Sequence, residues 1–395
     1  MNLEEWISRA RQQGASDLHL EPGLPAALRV RGSLKTFGDP VPPALLAATA
    51  RDLVGEAHWD AFTERRSADL SRTLHGVRCR LNIFHTTRGI GMAIRLLAAF
   101  QASLESLNLH PDLRKLTGNP HGLILVCGPT GSGKSSTLAA LIQEINLTEA
   151  RHIVTVENPI EYTFRPRRAF IRQREVGRDT PSFEQALLDA LREDPDVLMV
   201  GEMRDPATMR LTLNASETGH LVLATVHSSN TSEALQRILS AFPAEIQSNV
   251  GAQLADCLVA VIAQRLQFRS DLNLRIPECE ILVATHAVRN LIRTREFHRI
   301  SSALETGAEH GMWSWARYRT WIENRQRWHT PGDSSEPLEP DATPAVPESP
   351  LPRRSSAPRA ETAASRPPGE APAAPGRIEI EPVDEGFGKI LRRSS

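Results

Sequence analysis

Between residue 122 and about residue 270 the apolar positions fall into short runs that alternate with longer, helically spaced stretches. Leu123-Ile124-Leu125-Val126-Cys127 is an unbroken apolar run of strand length, the pattern of a strand buried on both faces. Residues 136–145 follow with apolar side chains at Leu138, Leu141, Ile142 and Ile145, the spacing of a helix with one inward face. Further strand-length runs occur at 152–156, 197–200 and 221–225, with helical spacing between them. Strands and helices in alternation predict a doubly wound α/β domain around a parallel sheet.

The flanking regions read differently. In residues 1–100, Leu18-His19-Leu20 and 27–31 are strand-like, 43–62 is helical, and 77–84 alternates with period two before a second strand at 91–96. That is a small α+β domain, joined by a linker over 101–121. Residues 271–329 read as largely helical. From residue 330 the composition changes, and thirteen of the 28 prolines fall in 331–395 among Ser, Ala, Glu and Arg. Such a segment buries too little apolar surface to offset its ordering entropy, so 330–395 is expected to be disordered. Its last residues, 387–393, are read either as a short docking peptide or as an inert tail.

Composition narrows the class. The net charge of −1 gives no support for nucleic-acid binding. Four scattered cysteines, Cys79, Cys127, Cys257 and Cys279, form no C-x-x-C pair, which predicts reduced thiols and no zinc site. The start of the chain lacks a basic region followed by an apolar one, so no signal peptide is expected. The longest apolar stretches, such as 258–263, are far short of the ~20 residues that span a bilayer, so membrane association is expected to be peripheral only.

Charge usage singles out one residue. The chain has 46 cationic Lys and Arg positions, of which four are lysine: Lys35, Lys115, Lys134 and Lys389. Lys134 stands in Gly128-Pro129-Thr130-Gly131-Ser132-Gly133-Lys134-Ser135, between the apolar strand and the helix. The pattern G-x-x-x-x-G-K-[ST] curls the backbone so that successive N–H groups face phosphate oxygens. The lysine reaches the β- and γ-phosphates and the hydroxyl of Ser135 ligates Mg²⁺. A compact ammonium suits this task better than a planar guanidinium. The phosphate-binding set is Gly128 through Ser135 together with Ser136.

Two acids stand at strand ends, Glu157 after 152–156 and Glu202 after 197–200. In an open parallel sheet, carboxyl ends of strands face the ligand crevice. One acid there can orient a water while the other holds Mg²⁺, a division that phosphoryl transfer needs. His220 and His227 bracket the strand at 221–225, and His227, at its carboxyl end, is the better placed to meet a γ-phosphate.

The order and density of these segments resemble the type II/type IV secretion ATPase superfamily. The likeness runs over roughly 14–312 and rests on Gly128–Ser135, Glu157-Asn158-Pro159-Ile160-Glu161-Tyr162, Gln173-Arg174-Glu175-Val176-Gly177, residues 191–197, Gly201-Glu202-Met203-Arg204-Asp205, and Glu217–Leu221 with His227. It implies a RecA-like P-loop NTPase core, a small N-terminal PAS-like domain beginning near Gly14-Ala15-Ser16-Asp17-Leu18-His19, and a helical C-terminal region. Glu157 then matches the water-activating acid of the Asp box and Glu202 the Walker B glutamate near Mg²⁺. Residues 217–227 match the His box. Arg80 and Arg95 match N-terminal-domain arginines that reach nucleotide when the domains close, although Arg78 and Arg88 crowd the same region.

Ala287-Val288-Arg289-Asn290-Leu291-Ile292-Arg293 resembles the signature of the superfamily's retraction branch. There is no tetracysteine motif and no long N-terminal region of the kind seen in the assembly and secretion branches. The resemblance therefore implies a homohexameric ATPase that uses ATP and Mg²⁺ to power type IV pilus retraction at the cytoplasmic face of the bacterial inner membrane. Its implied partners are an inner-membrane platform protein and a paralogous retraction or assembly ATPase. The alternatives are an assembly or type II secretion motor, or a weakly active accessory subunit.

Two departures stand out. Asn158 replaces the usual second acid of the Asp box. Where the family has Gly-Met-Gln and a plain helix, this chain has Met312-Trp313-Ser314-Trp315, then Trp321 and Trp328, interleaved with arginines. That segment is read either as a helix packed on the C-terminal domain or as a basic, Trp-bearing helix for an anionic surface.

Overall fold

The computed structural model describes residues 2–330 apart from residues 31, 98–102 and 273. The expected disordered tail over 330–395 and the docking peptide at 387–393 fall outside the described residues, Thr330 excepted.

The N-terminal domain runs α1 (Leu3–Gln12), β1 (Ala15–Leu20), β2 (Pro25–Val30), β3 (Ser33–Pro40), α2 (Pro43–Val54), α3 (Glu56–Arg65), β4 (Ser67–Leu74), β5 (Val77–Thr86) and β6 (Gly89–Leu96). Asn2 opens α1 with a capping box, its side chain accepting from the Glu5 N–H while Glu5 answers the Asn2 N–H. The six strands form one antiparallel sheet in the order β3-β2-β1-β6-β5-β4. The period-two pattern of 77–84 is realised in β5, where Val77, Cys79, Leu81 and Ile83 are buried and the residues between are not. They pack with Trp6, Ile7, Leu18, Leu28, Leu46 and Ile94.

The core continues with α4 (Arg114–Thr117), β7 (Gly122–Cys127), α5 (Lys134–Thr148), β8 (His152–Glu157), β9 (Phe170–Glu175), α6 (Phe183–Ala190), β10 (Val197–Val200), α7 (Pro206–Glu217), β11 (Leu221–Val226), α8 (Thr231–Ser240), α9 (Gln247–Cys257), β12 (Leu258–Arg269) and β13 (Leu274–Val283). The seven strands order as β13-β12-β7-β11-β10-β8-β9. All neighbours are parallel except β12 and β13, which form an antiparallel hairpin. Every residue of β7 is buried. Leu123, Leu125 and Cys127 feed the hydrophobic layer on one face, and Ile124 and Val126 feed the layer on the other.

The sheet extends past residue 270, where the sequence reading begins a helical region, because β13 pairs along the full length of β12. Beyond it the described chain is helical: α10 (His286–Arg293), α11 (Ile300–Thr306) and α12 (Trp315–Asn324). The tryptophan segment packs inward over part of its surface, as the first of its two readings expects. Trp313 exchanges both backbone hydrogen bonds with Ile281 of β13. Its ring lies 4.1 Å from that of His110, which Trp321 approaches at 4.6 Å. Tyr318 is fully buried, and its hydroxyl accepts from the His110 N–H at 3.1 Å. Guanidinium groups cover three of the rings, with Arg265 of β12 over Trp315 and the interleaved Arg325 over both Trp321 and Trp328. Thus the segment stacks on the core and on the linker residue His110, with its four tryptophans half-buried.

All four cysteines are free and buried. Burial pushes the Cys79 and Cys279 thiols up to about 12 and Cys257 to about 11, and raises Cys127 as well.

Candidate nucleotide site

The strand–loop–helix unit is formed as the sequence requires. β7 ends at Cys127, the loop turns through Gly128 and Gly131, and α5 begins at Lys134 after Gly133 in the left-handed region, φ +87°. Two glycines are needed for close approach. A Cβ on Gly128 would lie 2.3 Å from the Gln264 carbonyl oxygen, and one on Gly133 would lie 2.9 Å from Gln264 Nε2. Gln264, on β12, is a residue that sequence reasoning missed. Its Nε2 donates to the Ser132 carbonyl at 2.7 Å and its Oε1 accepts from the Thr137 hydroxyl at 2.6 Å. The available signal was a lone amide closing the apolar run 258–263.

The Lys134 ammonium donates to the carbonyls of Gly128 at 2.9 Å and Pro129 at 3.1 Å, and lies 3.4 Å from Nδ1 of His227. Burial lowers its pKa, against the pull of Glu202. Nε2 of His227 lies 3.0 Å from Glu202 Oε1, and Arg204 holds the other carboxylate oxygen. Burial pushes the Glu202 carboxyl up, but the hydrogen bond and charge of Arg204, with His227 and Lys134, outweigh it and hold it below the usual range. Loop lysine, His227 and Glu202 thus form one chain across the carboxyl ends of β7, β11 and β10. Parallel pairing explains why His227 belongs and His220 does not. His220 precedes β11, at the amino end of the sheet, where it bonds the Ala215 carbonyl at 2.9 Å.

Glu157 ends β8, three strands from β7, so about 14 Å separates the strand axes. It is buried, and its Oε1 accepts from the Thr155 hydroxyl at 2.7 Å and from Gln173 Nε2 at 3.2 Å. Burial raises its pKa to about 7 against those two hydrogen bonds. The loop after it reaches back toward the phosphate loop, and the Tyr162 hydroxyl meets the Ser136 hydroxyl at 2.7 Å. Asn158 is exposed and lines a cavity between the domains with Arg65, Arg72 and Arg178.

The N-terminal arginines separate. Arg80 and Arg95 are cross-strand partners on β5 and β6. Arg95 is bound to Asp17 at 2.9 Å, whereas Arg80 makes no hydrogen bond or ion pair among the described residues. Arg78, which sequence left undecided, is the one that touches the core. It donates to the Ile160 carbonyl and to Glu175.

A triphosphate fits this loop. The Ser132 hydroxyl is buried without a hydrogen-bond partner, beside two glycines that admit no side chain and a lysine facing its own loop carbonyls. No cluster of three metal-ligating side chains occurs among the described residues. A magnesium ion bound with a triphosphate takes most of its ligands from phosphates and water, and Ser135 and Glu202 are the residues that would hold it here.

Curled loop, inward lysine and strand-end carboxylates on a doubly wound sheet define a P-loop nucleoside triphosphatase. The chain belongs to the type II/IV secretion system protein family, whose model matches residues 2–280. It is 40% identical over 314 residues to the type IV pilus retraction ATPase PilT of Pseudomonas aeruginosa, covering 79% of this chain and 91% of that protein. It is 42% identical over 287 residues to a twitching motility protein of Neisseria gonorrhoeae, covering 72% of this chain and 77% of the relative. The crystal structure of the pilus retraction motor PilT with bound ADP matches at 37% identity and a TM-score of 0.73, covering 81% of this chain and 96% of that one. No helix among the described residues is long and apolar enough to cross a membrane.

Proposed function

We propose that this chain is an ATP-hydrolysing motor that powers type IV pilus retraction, working as a homohexamer with a platform protein at the cytoplasmic face of the inner membrane. The observation that carries the enzymatic part is the Lys134–His227–Glu202 chain, which joins three strand ends at one phosphate loop. The retraction assignment is supported by the likeness to the pilus retraction ATPase across nearly its whole length.

In this reading the loop amides from Gly128 to Ser136 and the Lys134 ammonium bind the phosphates. Ser135 and Glu202 would hold a magnesium ion, which would supply charge neutralisation to the phosphates. Glu157 accepts a proton from the attacking water, and His227 reports the γ-phosphate to the neighbouring strand ends. Arg80, without a hydrogen-bond or ion-pair partner among the described residues, is the arginine that reaches nucleotide when domains close, which ties turnover to movement. Arg95 must first leave Asp17.

The test is steady-state ATP hydrolysis by the purified chain beside Glu157→Gln, with pilus retraction scored in cells lacking the gene. Turnover above the variant, with pili retained but immobile, is expected. Loss of pili on deletion would assign an assembly motor instead. Turnover no greater than the variant's would assign an accessory subunit.

A further inference from the structure

Strand β9 carries two neighbouring contacts that the proposed chemistry leaves unused. Gln173 and Glu175 are two apart on a strand, so both side chains leave the same face. Gln173 Nε2 donates to Glu157 and, at 2.8 Å, to the Tyr162 carbonyl, while its Oε1 accepts from the Phe164 N–H at 2.9 Å. Glu175 grips the middle of the same loop, its Oε2 accepting from the Ile160 N–H at 3.1 Å.

The other side of Glu175 faces the N-terminal domain. The Ser71 hydroxyl of β4 donates to Glu175 Oε2 at 2.8 Å, and Arg78 of β5 lies 3.4 Å from the same oxygen. Arg78 also donates to the Ile160 carbonyl at 3.1 Å. Hence the Ile160 backbone is held at both of its peptide groups, its N–H by the core and its carbonyl by the N-terminal domain. Ser71, Ile160 and Glu175 are all buried. A buried carboxylate with several donors of fixed geometry is costly to disturb, since any one partner lost leaves charge unpaired.

We infer that Arg78, Ser71 and Glu175 are positioning residues that clamp the loop between Glu157 and Tyr162, so that the orientation of the N-terminal domain sets the placement of the catalytic carboxylate. This rests on the proposed ATPase reading. The loop is the shared element, with Glu157 at one end, the Tyr162 hydroxyl against Ser136 at the other, and Ile160 between. A domain rotation that withdraws Arg78 frees the Ile160 carbonyl and slackens the segment that carries Glu157. ATP binding through the phosphate loop is left as it was.

The test uses Arg78→Gln, Glu175→Ala, their double variant and Glu175→Gln. Each of the first two is expected to lower kcat roughly tenfold with KM for ATP within about twofold, the signature of misplaced chemistry with intact binding. The double variant is expected to be no worse than the worse single, because both act through one clamp. Glu175→Gln keeps an oxygen for the Ile160 N–H and restores most of kcat. Hydrogen exchange at the Ile160 amide, read without nucleotide, is expected to quicken in both single variants. Undiminished kcat in Arg78→Gln, additive losses, or equal changes in kcat and KM would overturn the inference. Should Glu175→Ala fail to fold, Arg78→Gln carries the test, because it leaves the core sequence untouched. A parent protein without turnover would sink the ATPase reading alone, and unchanged Ile160 exchange would still sink the clamp.

Discussion

Gln173 Nε2 donates to Glu157 Oε1 across the β8–β9 pair at 3.2 Å, and that bond opposes the burial that raises the Glu157 pKa to about 7. A base must be ionised, so ATP turnover is expected to fall as pH drops through 7. Thr155→Val removes the other donor and favours the protonated form, which moves this acid limb to higher pH. A kcat–pH profile of both proteins checks it.

The same carboxyl affects stability. Its pKa is higher folded than unfolded, so folding favours the protonated form, and the cost of ionising it grows from about pH 4.5 to 7 and then levels off. Glu157→Gln is therefore expected to stabilise the chain at pH 8, by at most ~3 kcal/mol, and hardly at pH 4. Thermal melts at the two pH values measure the difference, and equal shifts at both would contradict it.

Lys134→Ala is expected to abolish turnover. Lys134→Arg should do nearly the same, since a planar guanidinium replaces a point charge held by two loop carbonyls. Gln264→Ala is expected to weaken nucleotide binding and to cost ~1–3 kcal/mol, because the buried Thr137 hydroxyl loses its acceptor. Calorimetric ADP binding and denaturant midpoints separate the two effects.

Arg289 is a structural clamp. Its guanidinium donates to the carbonyls of Ala284, Ala255, Asp256 and Leu258, closing the end of α9. Arg289→Ala is expected to lower the melting temperature by several degrees, at roughly 2–4 °C per kcal/mol. Ala287 and Asn290 lie exposed on α10. Substituting them is expected to spare both melting and turnover while impairing retraction, which a motility assay alongside ATPase rates would show.

His110 is pressed between Trp313 and Trp321, and burial pushes its pKa down to about 4, with Asp112 opposing. A histidine depressed in the folded state favours the neutral form. Stability is therefore full above about pH 6.5 and is lost as pH falls from there toward 4. His110→Asn, which can still cap the Asp112 N–H, is expected to flatten the melting temperature across that range.

The phosphate loop was legible because everything it needs is local: one buried strand, three glycines and a lysine within fifteen residues. Glu157, Glu202 and His227 followed from strand ends, and parallel pairing then removed His220. β9 escaped because Phe170-Ile171-Arg172-Gln173-Arg174-Glu175 has the charge of a surface segment. As the edge strand it exposes Phe170 and Arg172 and owes its conformation to pairing with β8. β13 escaped for a similar reason, since Pro277 and two glutamates mask a strand whose acids are buried and paired, Glu278 with Arg265 and Arg319 and Glu280 with Thr231. Among the arginines of β5 and β6 no local pattern distinguishes Arg78, because what selects it is a loop more than eighty residues away.

The four sealed thiols have a practical consequence. Sulfhydryl-directed dyes and spin labels react with accessible thiolates, and the native molecule presents none among its described residues. A single cysteine placed on an exposed N-terminal-domain site such as Ser33 would therefore carry a fluorophore without background from the described thiols, giving a direct readout of any movement of that domain.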